Sequence, residues 1–203
     1  MIRQLTLVFV TGFAAVSLTA GSAAAWDVNH RNFSDVVSQL ANVRGPTPQT
    51  EALAPLVGNF NLTGTIPART LANDQPEMSS SGTHSCKWIM NNLFIECDVD
   101  DTAQAGEAKT RWMGHIVLGW DHQDKVYRGT IADSQGTIGL VQGNMKDNKL
   151  VLELVSKNTL GGQPFKYRIS FDFTDPSAIK FSSEVKQGTR WIVSEKKVLR
   201  KTQ

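Results

Sequence analysis

The residues that could carry chemistry are few and widely separated. The four histidines, His30, His84, His115 and His122, form no His-x-x-x-His pattern, and the two cysteines form no Cys-x-x-Cys pattern, so neither shows the spacings typical of zinc ligands. The chain also lacks a Gly-x-Ser-x-Gly elbow around a nucleophilic serine and a glycine-rich phosphate loop. Because these motifs are absent, we predict no catalytic residue, no metal site and no cofactor.

Large side chains mark a candidate binding surface instead. On the strands predicted below, aromatic residues share one face with a few polar groups, a composition typical of small-molecule pockets. The predicted ligand-binding residues are Trp88, Trp112, Trp120, Tyr127, Asp133, Gln142, Tyr167 and Phe171. Ordinary core packing is the alternative explanation for the aromatic members of this set.

A catalytic use of the same surface is the second hypothesis. Asp133 and Tyr127 would then act together in one cavity, as in an isomerase or a hydrolase. A raised carboxyl pKa in an open pocket would favour this reading, whereas a carboxylate hydrogen-bonded in a turn would count against it. Whether the protein is an enzyme stays open at this point, with binding preferred.

The strand pattern is clearest in residues 164–174, which read Pro-Phe-Lys-Tyr-Arg-Ile-Ser-Phe-Asp-Phe-Thr. Aromatic and aliphatic residues alternate there with polar ones, and a period of two predicts an extended strand with one buried face. Such a face must pack against other strands of the same kind. The segment therefore predicts a sheet.

The two cysteines lie in a predicted β-hairpin. Asn91-Asn92 is a favourable turn, and pairing outward from it places Cys86 opposite Cys97 and Lys87 opposite Glu96. We therefore predict a Cys86–Cys97 disulfide. With a two-residue turn, the two cysteines would form a hydrogen-bonded pair about 5.5 Å apart at Cα.

About ten strands follow one another with short turns, and almost no helix is predicted after Val57. The predicted fold class is all-β, an up-and-down antiparallel meander closed or nearly closed into a barrel, with an N-terminal helix. Closure removes the exposed sheet edges, although two stacked sheets would also fit the pattern.

Two turns decide which residues face inward in the middle of the meander. A two-residue turn at Gln135-Gly136 would point Ile138, Leu140 and Gln142 into the barrel. For the next strand we expect Leu152 and Leu154 to face inward, which then requires an odd-length, bulged turn near 147–148.

The first residues read as a targeting segment. Residues 1–25 combine a positive start, a short apolar run and Ala23-Ala24-Ala25, the pattern of a cleaved signal peptide, with an uncleaved anchor as the alternative. Residues 26–49 would form an N-terminal helix (33–43) and a linker, and residues 50–203 the barrel. The predicted location is periplasmic or extracellular, with no stable membrane span after signal cleavage.

Charge argues against a nucleic acid partner. The formal net charge is +2, and the single basic run, residues 196–201, is expected to be the solvated end of the last strand. A protein partner held by the helix at 33–43 is a third hypothesis.

Two stretches resemble known families. Residues 56–65, Leu-Val-Gly-Asn-Phe-Asn-Leu-Thr-Gly-Thr, resemble the opening of lipocalin-like barrels. Residues 119–127, Gly-Trp-Asp-His-Gln-Asp-Lys-Val-Tyr, followed by Asp-Ser-Gln-Gly at 133–136, resemble a family of small secreted bacterial proteins of unknown function. The resemblance implies a calycin-type barrel and assigns no catalytic residues. Some related barrels bind haem through a histidine, but our register places His115 on the outer face.

The sequence as a whole predicts a secreted barrel that binds a small hydrophobic or amphipathic molecule without transforming it. A barrel of this strand number can enclose one small ligand.

Overall fold

The computed structural model describes residues 45–202 except 71–72, 155–158, 161–162 and 165, and gives no side-chain surroundings for 155–165. These residues belong to one compact unit, Arg44–Gln203. The signal peptide predicted at 1–25 and the helix predicted at 33–43 lie outside the described residues.

The fold is a closed, ten-stranded antiparallel β-barrel, as the alternating pattern predicted. A four-residue helix, α1 (Pro48–Glu51), and a 3-10 turn (Ala54–Leu56) precede it. The strands are β1 (Gly58–Ile66), β2 (Met78–Ile89), β3 (Phe94–Ala105), β4 (Ala108–Asp121), β5 (Val126–Asp133), β6 (Ile138–Lys146), β7 (Lys149–Leu154), β8 (Thr159–Leu160), β9 (Gln163–Pro164), β10 (Tyr167–Asp172), β11 (Ile179–Gln187) and β12 (Arg190–Lys201).

Each barrel strand pairs with its neighbours along the chain, and β12 pairs with β1 to close the ring. The short strands β8 and β9 form a separate two-stranded hairpin inserted between β7 and β10. Closure leaves no barrel strand with a free edge, which removes a site for aggregation.

The two ends of the barrel differ. At one end, called the sealed end, the cap Pro48–Leu56 leads into β1, and its residues Thr50, Leu53 and Leu56 are buried. The Tyr127 hydroxyl, at the start of β5, donates a hydrogen bond of 2.8 Å to the Gln49 carbonyl and ties the cap to the wall. The opposite end, called the open end, carries the connections that leave β1, β3, β5, β7 and β11.

The turn between β5 and β6 corrects one sequence prediction. The Asp133 amide donates to the Thr137 carbonyl, so the loop holds three residues, and Gly136 takes the left-handed conformation (φ 79°) that such a loop needs. The odd length reverses the face of β6. Ile138 and Leu140, which were expected inside, are 72% and 48% exposed on the outer surface.

The next turn corrects a second prediction. Asp147 and Asn148 have positive φ angles of 50° and 59° and form a two-residue turn that pairs Lys146 with Lys149, so no bulge is present there. Leu152 and Leu154 nevertheless pack on the interior side, as expected. The predicted length was wrong for both the β5–β6 turn and the β6–β7 turn. Each error alone would reverse which residues of the next strand face inward, so the two together leave the predicted inward face of β7 correct.

The cysteine hairpin confirms the predicted register. Cys86 pairs with Cys97 in a disulfide, and Lys87 lies 2.9 Å from the Glu96 carboxylate. The Cα–Cα distance of 4.1 Å is shorter than expected and fits a non-hydrogen-bonded pair. The cause is the connection 90–93, which holds four residues between the strands rather than two. The same residues remain opposite each other, but hydrogen-bonded and non-hydrogen-bonded pairs change places along the hairpin.

Candidate ligand-binding interior

The predicted aromatic residues all contribute to one interior. Tyr127 and Phe171 are buried members of the core, and Trp88, Trp112, Trp120 and Tyr167 pack against it partly exposed. Their positions along the strands separate them, however. Trp88, Trp120, Tyr127 and Phe171 lie in the half toward the sealed end, whereas Trp112 and Tyr167 lie in the half toward the open end.

Two polar members of the predicted set do not line this interior as expected. Gln142 lies on the outer face of β6, where its side-chain oxygen is 3.4 Å from Arg128 Nη2, because the three-residue turn reversed that strand. Asp133 stands at the last position of β5, and its Oδ1 accepts hydrogen bonds of 3.0 Å from the amides of Gln135 and Thr137. Its visible role is to cap the turn.

The geometry also separates the proposed catalytic pair. Tyr127 and Asp133 lie near opposite ends of β5, about 20 Å apart along an extended strand. The Tyr127 hydroxyl is bonded to the cap and the Asp133 carboxylate to its turn. The two groups cannot act on one substrate.

Side chains that point inward near the open end remain partly accessible. This set consists of Ile66, Trp112, Ile131, Leu154, Tyr167 and Val185, all of intermediate exposure, whereas inward residues near the sealed end such as Ile95, Leu118 and Leu150 are fully buried. Trp88 and Trp120 are also partly exposed toward the sealed end, but the fully buried inward residues lie in that half, so the apolar wall is more accessible near the open end.

A charged cluster lies on this same wall. Lys197 on β12 places its Nζ against Asp101 Oδ2 on β3 and 2.7 Å from Glu195 Oε1. Ser80 Oγ on β2 donates to the Asp101 carboxylate at 2.9 Å. All four side chains project inward, because each strand alternates and their neighbours in the ladder are core residues.

A glycine makes the contact between β12 and β3 possible. The lysine side chain must cross β1 and β2 to reach Asp101, and Gly64 lies on that path. A Cβ at Gly64 would stand 2.0 Å from the Lys196 carbonyl oxygen and 2.7 Å from Lys197 Cγ. Any larger residue would displace the lysine.

Hydroxyl groups continue the cluster toward β10 and β11. Ser183 and Ser194 lie 2.7 Å apart at their Oγ atoms, and Tyr167 shares a side-chain hydrogen bond with Ser183. Burial raises the pKa of the Tyr167 hydroxyl and that of the Glu195 carboxyl, the latter against the opposing effect of Lys197. Both effects indicate a low-dielectric environment.

Sequence reasoning missed this cluster and misplaced one of its members. Lys197 was assigned to a solvated basic run, yet its side chain is only 6% exposed. A signal was present, because Glu195, Lys197 and Leu199 alternate on β12 and Leu199 is a core residue. The partner on β3, 96 residues earlier, could not be inferred from that pattern.

A buried histidine stands beside the disulfide. His84 Nε2 lies 2.8 Å from Cys86 Sγ, and the ring packs near Phe60 and Phe171. Burial, with a smaller effect of Lys197, lowers the His84 pKa to about 4, so the ring is neutral at pH 7. The ring nitrogen and both sulfurs lie within 4.8 Å of one another. The sulfurs are bonded to each other, so this trio offers no thiolate to a metal.

The outer surface carries a groove of about 810 Å³ over β4, β5 and β6. Val117 and Leu140 form part of its floor, and Arg128 at its edge is paired with Asp121 and Asp124. The groove therefore combines apolar surface with an arginine whose charge is already paired.

No helix in the described part of the chain has both the length and the apolar composition needed to cross a bilayer.

Comparison with solved structures supports the barrel assignment. The structure of the S-type phycobiliprotein lyase CPES from Guillardia theta superposes with a TM-score of 0.51 at 9% identity, covering 78% of this chain and 99% of the lyase. At such low identity the likeness concerns the fold alone. A search of the curated proteins found no match.

Residues 45–198 match a family described as "Protein of unknown function (DUF1579)". This stretch contains every strand except the last residues of β12. The chain belongs to the DUF1579 family.

Proposed function

We propose that this protein binds a small amphipathic molecule at the open end of its barrel without transforming it. The observation that carries the proposal is the asymmetry of the interior. The half toward the cap is mostly buried and apolar, and the other combines partly accessible apolar side chains with a charged cluster, Asp101–Lys197–Glu195.

The energetics of the cluster support a role beyond packing. Each charge taken out of water costs several kcal/mol before pairing, and buried ion pairs are on average no more stabilising than apolar residues of similar volume. A barrel that needed only a core would be served as well by leucines. Charged groups beneath an accessible apolar wall are what an amphipathic ligand requires.

The roles of the individual residues follow from their depth. Trp112 and Tyr167 would contact the apolar part of the ligand, and Glu195 its polar part. The floor of the site, below the ligand, would be formed by the aromatic residues toward the sealed end, Trp88, Trp120, Tyr127 and Phe171.

The protein would act outside the cytoplasm, in the periplasm or beyond. The disulfide supports this location, because such bonds persist in oxidising compartments. Fractionation of expressing bacteria, with sequencing of the mature N-terminus, tests it. A chain beginning near Trp26 is the expected result, and retention of residues 1–25 in the cytoplasm would contradict the proposal.

Binding is tested with N-phenylnaphthylamine, a neutral fluorescent probe whose emission rises in apolar surroundings. Ile131 and Thr130 are adjacent on β5 and face inward and outward respectively, so tryptophan at each gives a matched pair. Ile131→Trp should weaken probe binding by about tenfold or more, because the added ring fills the open half. Thr130→Trp should leave binding unchanged.

Equal effects of the two substitutions would place the probe outside the barrel. Native mass spectrometry of protein purified from its own compartment provides a second test, with a bound organic molecule as the expected result.

A further inference from the structure

The charges of the cluster Asp101–Lys197–Glu195 do not balance. Asp101 and Glu195 provide two carboxylates, and Lys197 provides one ammonium. His84, the next titratable group, is neutral at pH 7 because burial lowers its pKa to about 4. Among the residues that the structure describes, this cluster therefore has one more acidic group than cationic group.

The ammonium of Lys197 is already fully engaged. It contacts both carboxylates and lies 5.7 Å from the centre of the Phe181 ring, so its donors point at protein groups. An anionic ligand would have to displace a buried carboxylate to reach it. Lys197 is therefore unsuited to hold a fatty-acid carboxylate.

Glu195 is the most exposed member of the cluster. Its side chain is 16% exposed, compared with 6% for Lys197 and 7% for Asp101. The Tyr167 hydroxyl lies close enough for Glu195 to influence its pKa, and the Phe181 ring lies beside the Lys197 ammonium that Glu195 contacts. A carboxylate accepts strong, charge-assisted hydrogen bonds from an ammonium group, and aromatic rings in the same region also attract cations.

We infer that the ligand carries a positively charged amine, which binds against Glu195 while its apolar part lies along Trp112 and Tyr167. This inference rests on the proposed function, since it concerns the same site. A cationic head group supplies the missing positive charge, and it also favours the ionised form of the carboxylate that it meets.

The test compares three ligands that share one alkyl chain, decylamine, decanol and decanoate, in displacement of N-phenylnaphthylamine at pH 7. Decylamine should bind about tenfold more tightly than decanol, because hydrogen bonds to a charged group exceed those between neutral groups by about that factor. Decanoate should bind most weakly, because it meets an excess of acidic groups.

Glu195→Gln should abolish the preference for decylamine while keeping the binding of the neutral probe. Glu153→Gln is the matched control, because Glu153 is exposed on the outer face of β7. The control should retain the tenfold preference. A preference that survives in Glu195→Gln would overturn the assignment of this carboxylate.

The outcomes separate the two proposals. Equal or tighter binding of decanoate in the wild-type protein would overturn the inference of a cationic ligand and leave the binding function standing. Failure of the probe and of all three alkyl ligands to bind would refute the proposed function and the inference with it. The wild-type series is decisive even where a Glu195 variant fails to fold.

Discussion

Replacing Lys197 with methionine would remove the single ammonium of the charged cluster and change little else in shape. The substitution keeps a linear side chain of similar length beside Gly64. It leaves Asp101 and Glu195 without their lysine partner, and among the described residues the Ser80 hydroxyl still donates to Asp101.

The expected loss of stability is large. Breaking a buried ion pair by removal of one partner costs about 3–5 kcal/mol, because the remaining charge stays desolvated. The Lys197 and Asp101 side chains are 6% and 7% exposed, so this buried case applies rather than the surface case of about 0–1 kcal/mol. Since a typical domain is stable by about 5–15 kcal/mol, the variant should fold with a greatly reduced margin.

The loss should also depend on pH in a defined direction. Without the ammonium, the folded protein favours protonated carboxyl groups more than the unfolded chain does, so the variant binds more protons when folded. Its deficit relative to wild type should therefore grow as pH rises from 5 to 7.5. In the wild-type protein burial already raises the pKa of Glu195, which acts in the same sense.

Urea unfolding followed by tryptophan fluorescence at both pH values measures this deficit. Lys196→Met is the matched control, because Lys196 is the adjacent residue on β12 and is exposed on the outer face. It should change the free energy of unfolding by less than about 0.5 kcal/mol. Equal effects of the two substitutions, or a Lys197→Met deficit that does not change with pH, would refute a buried charged cluster.

Three further predictions concern stability. Because the His84 pKa falls from 6.5 to about 4 in the folded protein, the free energy of unfolding should decrease by about 3 kcal/mol as pH drops from 7 to 4. In His84→Leu this part of the pH dependence should be absent, whereas the exposed control His115→Leu should retain it. Replacing Cys86 and Cys97 together with alanine should cost about 2–3 kcal/mol in the same urea assay, since the bond closes a short loop, and a reducing agent should then no longer affect the variant. Tyr127→Phe should cost about 1 kcal/mol by removing the hydrogen bond to the cap. Unchanged unfolding in any of these cases would contradict the corresponding contact.

The architecture followed from local patterns because antiparallel neighbours are adjacent in the chain. The registers of the cysteine hairpin and of the β4–β5 hairpin were predicted correctly, including Trp120 opposite Tyr127. Both rest on an even number of connecting residues, which is simple to read from the positions of Asn and Asp.

Odd-length turns were harder to predict. The three residues after Asp133 contain Gln135-Gly136, which also fits a two-residue turn, and the choice between them reversed β6 and placed Gln142 on the wrong side. The length of the turn depends on which backbone amides donate hydrogen bonds to Asp133, and the sequence alone does not show this.

The candidate site was the least predictable part. Its charged members belong to β3 and β12, which approach each other only because the ring closes through β1 and β2. Within its own strand Lys197 belongs to a basic run and Asp101 to an acidic one. Only the closed geometry shows that the two side chains neutralise each other.

The direction of the last strand decides how the molecule could be tethered. β12 ends at Lys201, and the Thr202 amide donates to the Asn59 carbonyl at the start of β1, so the chain leaves the barrel beside the cap. A tag or domain joined behind β12 would therefore begin beside the cap, on the side of the barrel opposite the open end. A sensor chip or a carrier joined there would leave the open end facing the surrounding solution.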